Sequence, residues 1–294
     1  MFLVTGASGN LGQRVLNHLL NTLSVPANQV VAASRNPEKL AAWAAKGVVT
    51  RALDFEDATT FGGAFAGVER ALLISTDALD KPGRRLAQHQ AAIAAFAQAG
   101  VQHVVYTSMP KPEASPLLIA PDHEGTEKAL GASALPGWTV LRNHWYLENL
   151  FLFLPSILAS GTWYSADEGF GSADIARDDL ALAAATSLAN QETGKHTYTL
   201  SGPTALTRAY IVERLNAVLG KNIQIVPVSV EAWVQGAVAG GLPEPIARVY
   251  ASFDTNTAAG RVAEVTNDFT RITGREAQSF DSWLVANQAA LAAL

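Results

Sequence analysis

Apolar and polar positions along the first half of the chain follow two alternating patterns. Short runs rich in Val, Leu, Ala and Ile predict strands in "MFLVTG", "NQVVAASR", "VVTRALD", "ERALLIST", "VQHVVYTS" and "WTVLRN". Between them lie stretches whose apolar residues recur three and four positions apart, which predicts helices. These are "LGQRVLNHLLNTL", "PEKLAAWAAKG" (opened by Pro37 and stopped by Gly47), "ATTFGGAFAG" and "GRRLAQHQAAIAAFAQAG", which ends at Gly100. Strands separated by helices imply right-handed crossovers and so a parallel, doubly wound α/β sheet.

Past residue 150 the pattern loosens, and Trp, Gly and Pro become frequent. Helical stretches "RDDLALAAATSLAN" and "TRAYIVERLNAVLG" are spaced by the strand-like "HTYTLSG" and "IQIVPVS". The expected organisation is a main domain over residues 1–150 and a smaller α/β lobe over 151–294, with some segments returning to the main sheet.

Composition narrows the function classes. The chain of 294 residues is 49% hydrophobic and 16% charged, which supports a sizeable buried core and argues against disorder. A net charge of −5 gives no footprint for nucleic acid or an anionic membrane, and the local "GRR" at 83–85 reads as a solvated face. The absence of cysteine removes disulfides, thiolate catalysis and iron–sulfur clusters. The six histidines are scattered without metal-ligand spacing, so no metal site is expected. The opening residues lack the regions of a signal peptide. The most apolar run, "LENLFLFLPSIL", carries Glu148 and Pro155, so a cytoplasmic location is expected.

The first candidate chemistry is "TGASGNLG" (residues 5–12), set between the first strand and the first helix. Gly6, Gly9 and Gly12 suit a tight turn, close approach of a phosphate, and close helix–strand packing. The helix N-terminus beyond them offers unpaired N–H groups to a pyrophosphate. The set expected to hold it is Gly6, Ser8, Gly9, Asn10, Leu11 and Gly12. That placement identifies a Rossmann-type dinucleotide domain. After the second strand, where an NAD site places a carboxylate, the chain has "ASRNPEK" with Arg35. A guanidinium there suits a 2′-phosphate, so NADP(H) is expected over NAD(H). Asp54 is expected beside the adenine. Ser75, Thr76, Thr107 and Ser108, at the carboxyl ends of the fourth and fifth strands, are expected near the nicotinamide half.

With "SRNPEK", "GVQHVVYTS", "DHEGTEK" and "LRNHWYLENL" (141–150), the chain resembles the NmrA-like branch of the atypical short-chain dehydrogenase/reductases. Within that branch it looks most like bacterial NADPH-dependent quinone oxidoreductases and triphenylmethane-dye reductases. The resemblance implies that Asn143 and Tyr146 flank the cofactor and that His144, Trp145 and Asn149 face a quinone-like small molecule. It allows a homodimer. Flat aromatic rings suit a planar acceptor; the alternative for "HWY" is an interlobe packing cluster with a buried histidine.

Short-chain reductases usually carry Tyr-x-x-x-Lys after the fifth strand, but here that region reads "HEGTEKAL" (123–130). If His123 stands at the tyrosine position, Glu127 stands at the lysine position, and the dyad is absent. Ketone reduction yields a strongly basic alkoxide that needs a proton donor. Quinone reduction yields a phenolate-like oxygen whose conjugate acid has a pKa of about 10, so water or a histidine suffices. His123 is the candidate general acid, the alternative being a helix-surface pair with Glu127. The expected activity is hydride transfer from NADPH to a quinone or similar flat, electron-poor acceptor. The rival is a dinucleotide-binding redox sensor acting through a protein partner.

Overall fold

The computed structural model describes residues 1–294. Its strands are β1 (Phe2–Val4), β2 (Val30–Ser34), β3 (Val49–Ala52), β4 (Arg70–Leu73), β5 (His103–Ser108), β6 (Gly137–Asn143), β7 (Thr162–Ser165), β8 (Gly171–Ser172), β9 (Lys195–Leu200), β10 (Leu206–Thr207) and β11 (Gln224–Pro227). Seven of them form one sheet in the order β3-β2-β1-β4-β5-β6-β9, and every neighbouring pair is parallel. The strand order reverses between β1 and β4, which opens a crevice at the carboxyl edge of the sheet.

Alternate strand residues leave the sheet on opposite faces, and both faces are buried. Val4, Ala32, Leu72, Val105 and Leu141 belong to the core on one face, beneath the helices Asn10–Asn17 and Arg177–Ala189. Leu3, Val31, Ala71, Val104, Tyr106 and Val140 belong to the core on the other, beneath Phe61–Phe65, Arg84–Gln98 and Ala120–Ala132. Each fully buried Val, Leu or Phe contributes roughly 1.5–3 kcal/mol, so the whole two-sided array holds the sheet.

At the amino edge, buried Arg70 donates to the carbonyl oxygens of Leu188 (2.8 Å), Glu192 (3.0 Å) and Ser187 (3.1 Å). A cation at the carbonyl end of the helix Arg177–Ala189 is favourable, and it ties that helix under β4.

A third core, outside the sheet, joins Leu154 of the helix Leu150–Ser160, Leu215 of Arg208–Leu219, and Trp283 and Leu284 of Phe280–Ala292. The short pairs β7–β11 and β8–β10 lie in this second lobe. Strands of two to four residues carry too little periodicity to be seen in advance, which is why β7, β8 and β10 were not expected.

Local detail departs from the helical expectation in two places. "LGQRVLNHLLNTL" is an α-helix only over Asn10–Asn17 and continues as a wider π turn, His18–Thr22. "PEKLAAWAAKG" is a 3-10 turn, Pro37–Leu40, followed by one α turn, Ala41–Ala44, before Gly47 reverses the chain at φ +90°.

Candidate active site

The glycine turn is tied to the sheet from both sides. Thr5 N–H donates to Leu72 O at 3.1 Å and Ala7 N–H to Ala33 O at 3.0 Å, which fixes the turn between β4 and β2. Gly6 takes φ +58°, a region open to glycine. A Cβ on Gly12 would stand 2.7 Å from the Ala7 Cα and closer still to the Gly6 carbonyl, so only glycine lets the helix start so near the turn. No side chain caps the helix at Gly9, and its first N–H groups stay open at the crevice.

One cleft of 530 Å³, within the usual range of small-molecule sites, is lined by Gly6, Ser8, Gly9, Asn10, Leu11, Gly12, Arg35, Asp54, Ser75 and Thr76. These ten expected residues, drawn from four loops, therefore meet. The Arg35 side chain is 66% exposed, and its only charged neighbour, Asp77, is 4.0 Å away. Asp54 uses Oδ1 to accept from Glu56 N–H at 3.0 Å. Ser34, Phe55, Asp77, Asp80, Arg84 and Gln88 also line the cleft and were not foreseen. Arg84 is held in its wall by Asp80 at 2.8 Å and Glu56 at 2.6 Å.

Thr107 and Ser108 stand behind the cleft wall instead of lining it. Thr107 Oγ1 accepts from Ser75 N–H at 2.8 Å, so it is a strut under the β4 loop. Ser108 donates to Glu127 at 2.6 Å, and the same carboxylate takes Arg142 at 2.6 Å. Glu127 is thus committed to Arg142 and not to His123, which corrects the expected helix-surface pair; the i, i+4 pair that does form is Glu124 with Lys128 at 2.6 Å. His123 is buried, with Nδ1 2.8 Å from the Tyr106 hydroxyl. Burial pushes it well below its ordinary pKa and keeps it neutral.

The "GRR" stretch divides. Arg84 is part-exposed on the cleft, whereas Arg85 is buried, which corrects the expectation of a solvated face. A helix that starts at the carboxyl edge of β4 carries its first turn into the crevice, so the position of "GRR" relative to the strand was the available signal.

At the end of β6 the "NHWY" run turns between the lobes. Asn143 is buried and its Oδ1 has no hydrogen-bond partner; the same holds for Thr76 Oγ1. Trp145 and Tyr146 line a pocket with Phe153, Trp163, Tyr250 and Phe253, and the rings of Trp145 and Phe253 are 4.0 Å apart. Arg177 lies over the Tyr146 ring at 5.2 Å. His144 is buried with neither ring nitrogen partnered, and burial pushes its pKa down to about 4. Asn149 accepts from Arg177 at 3.3 Å. Neither His144 nor Asn149 lines the pocket, so "HWY" is part wall and part interlobe packing. On the far side Arg208 joins Asp167 (3.2 Å) and Asp254 (3.3 Å), and buried Asp174 is pushed up to about 6.

These features fit a nicotinamide dinucleotide phosphate. The glycine turn leaves no room for a Cβ, Arg35 is exposed at the cleft with only a 4.0 Å contact to Asp77, and the enclosed oxygens of Thr76 and Asn143 lack partners.

Comparison with known proteins gives the same answer. A family described as NAD(P)H-binding matches residues 6–191. Quinone oxidoreductase 2 of Escherichia coli (strain K12) is 34% identical over 274 residues, covering 93% of this chain and 94% of that protein. The structure of the Escherichia coli NADPH-dependent quinone oxidoreductase with NADPH superposes with a TM-score of 0.90 at 33% identity, covering 97% of this chain and 99% of that one. Triphenylmethane reductase of Citrobacter sp., solved with NADP(H), superposes at 0.89 with 32% identity and the same coverage.

Proposed function

The chain belongs to the NAD(P)H-binding family, and on that premise we propose that it is an NADPH-dependent reductase of quinone-like acceptors, flat and electron-poor. The observation that carries this is the junction at the end of β6. Asn143, with its bare buried oxygen, and the aromatic pocket walls Trp145 and Tyr146 lie within four residues on the turn after β6, at the same carboxyl edge of the sheet on which the dinucleotide cleft opens.

When bound, NADPH supplies a hydride. The chain's part is positioning. The glycine turn and the open helix N-terminus hold a pyrophosphate, and Arg35 pairs with a 2′-phosphate. Thr76 Oγ1 and Asn143 Oδ1, both buried without partners, would be the acceptors available to hold the cofactor's carboxamide. Holding the reacting atoms at near-attack distance is the main source of rate for this chemistry. The reduced acceptor takes one proton from solvent. Neutral His123 does not store that proton as an imidazolium, and we assign it a relay role, joined to the Tyr106 hydroxyl. A redox sensor would need no aromatic acceptor pocket, which favours the enzyme.

The test is NADPH oxidation on adding p-benzoquinone. Enzyme-dependent oxidation is expected with the quinone and not with cyclohexanone, whose reduction needs the missing acid.

A further inference from the structure

A second cavity lies directly against the acceptor pocket. It is a groove of 680 Å³ lined by the helices Leu150–Ser160 and Val230–Ala239 and by residues of β7. Phe153, Trp163, Trp233 and Tyr250 line both spaces. Phe153 and Tyr250 meet edge to face at 5.4 Å, and they and Trp233 are only half-buried. A rim of rings, and not closed core, therefore stands between pocket and groove. The acceptor pocket alone encloses 110 Å³, less than the roughly 300–1,000 Å³ of a whole small-molecule site. It takes a ring and little beyond it.

The chemistry of the groove says what else is held. None of its lining residues is charged, whereas the acceptor pocket carries Asp167, Asp174, Arg208 and Asp254. Its two serines spend their hydroxyls on backbone: Ser156 donates to Phe153 O and Ser160 to Ser156 O, each at 2.9 Å. Yet Leu152 and Tyr164 stand 63% and 52% exposed along it. A continuous apolar surface left open in this way marks a binding surface. A peptide laid there would bury N–H and C=O groups without partners, which is costly. A hydrocarbon chain has no such groups to lose.

Resting on the quinone-reductase reading, we propose that the groove is the subsite for a hydrocarbon side chain on the acceptor ring, so that the preferred substrates are quinones bearing such a chain. The ring occupies the aromatic pocket, and the chain passes over the Phe153–Tyr250 rim into the groove. Gly236 keeps that path open: a Cβ there would meet nothing within 4 Å.

The test compares kcat/KM for 2-alkyl-1,4-benzoquinones from methyl to n-hexyl, each below its micellar concentration, at saturating NADPH. A fully buried CH2 is worth about a three- to fourfold gain, so the native protein should favour hexyl over methyl by more than about tenfold. Gly236→Leu fills the groove from an exposed helical position, where leucine also favours the helix. It should bring the hexyl-to-methyl ratio down to within about threefold of one. Leu152→Ser, at an exposed side chain, should lower the ratio by about threefold. A native ratio near one, or a ratio that neither variant changes, overturns the proposal. So does a native dimer in sedimentation that Gly236→Leu converts to monomer, which would give the groove to a second copy of the chain. Turnover of p-benzoquinone without preference for the alkyl chain sinks the groove reading alone. No turnover of any quinone sinks the reductase reading with it.

Discussion

Thr76 N–H donates to Nε2 of His89 at 3.0 Å, and Nδ1 of the same ring is 2.9 Å from the Thr126 hydroxyl. The Thr126 proton is already given to Asp122 O at 2.6 Å, so Nδ1 must carry the hydrogen and Nε2 must be bare. The ring is neutral, consistent with burial pushing its pKa down to about 3. A buried histidine thus locks the loop that ends β4 at the cleft wall. His89→Leu leaves the Thr76 N–H unsatisfied, and should cost about 1–3 kcal/mol and weaken NADPH several-fold. Urea denaturation and NADPH titration of the variant check both.

Stability should fall on mild acidification. His89 (about 3), His103 (about 4) and His144 (about 4) have folded pKa values depressed by burial, and His123 is shifted the same way. Their unfolded values lie near 6.5. Below that pH the unfolded chain binds protons the folded chain refuses, so their contribution is complete above about 6.5 and is lost as pH falls toward 4. Each such proton is worth up to about 1.4 kcal/mol per pH unit. Asp174 and Asp179, pushed up to about 6, and Asp122 and Asp254, also raised by burial, act in the opposite sense, and they reduce the loss without reversing it because the histidine shifts are the larger. Urea midpoints at neutral pH and in mild acid should differ in that direction; equal midpoints would show the histidines to be solvated.

Arg35→Ala should weaken NADPH by about tenfold to a hundredfold, the range for charge-assisted bonds to a phosphate, and leave NADH within about twofold. Fluorescence titration with both dinucleotides measures it. Because the side chain is 66% exposed and its 4.0 Å contact with Asp77 is a solvated surface pair, no change in folding stability is expected.

Trp145→Ala opens the acceptor pocket and removes the contact with Phe253. KM for p-benzoquinone should rise by about tenfold, an aromatic contact plus lost burial, while the Kd for NADPH stays unchanged. Steady-state kinetics alongside cofactor titration separate the two; equal loss of both would place Trp145 in the cofactor site.

The sheet was legible because its strands are buried on both faces and read as unbroken apolar runs, and because "TGASGNLG" sits at the one strand–helix turn where three glycines have a mechanical reason. Gly12 shows that reason directly. The cleft residues on β1, β2 and β4 loops followed from strand ends alone. Thr107, Ser108, Asn143, His144 and Asn149 line neither cavity, because a strand-end position does not say whether a side chain faces the crevice or the layer beneath. Arg85 was read as surface because its burial comes from packing between elements distant in sequence, which no local pattern shows. The acceptor pocket depends on Phe253 and Tyr250 meeting Trp145 across the lobes, and no local pattern encodes that contact.

The most direct measurement of the central claim is product stoichiometry under anaerobic conditions, with NADPH, p-benzoquinone and cytochrome c as a trap for one-electron products. Direct hydride transfer in the pocket beside Trp145 and Tyr146 predicts one hydroquinone formed for each NADPH oxidised, with no enzyme-dependent reduction of cytochrome c. NADPH that binds but is not consumed faster than in the enzyme-free control, across p-benzoquinone, naphthoquinones and azo dyes, would contradict the account and leave a dinucleotide sensor in its place.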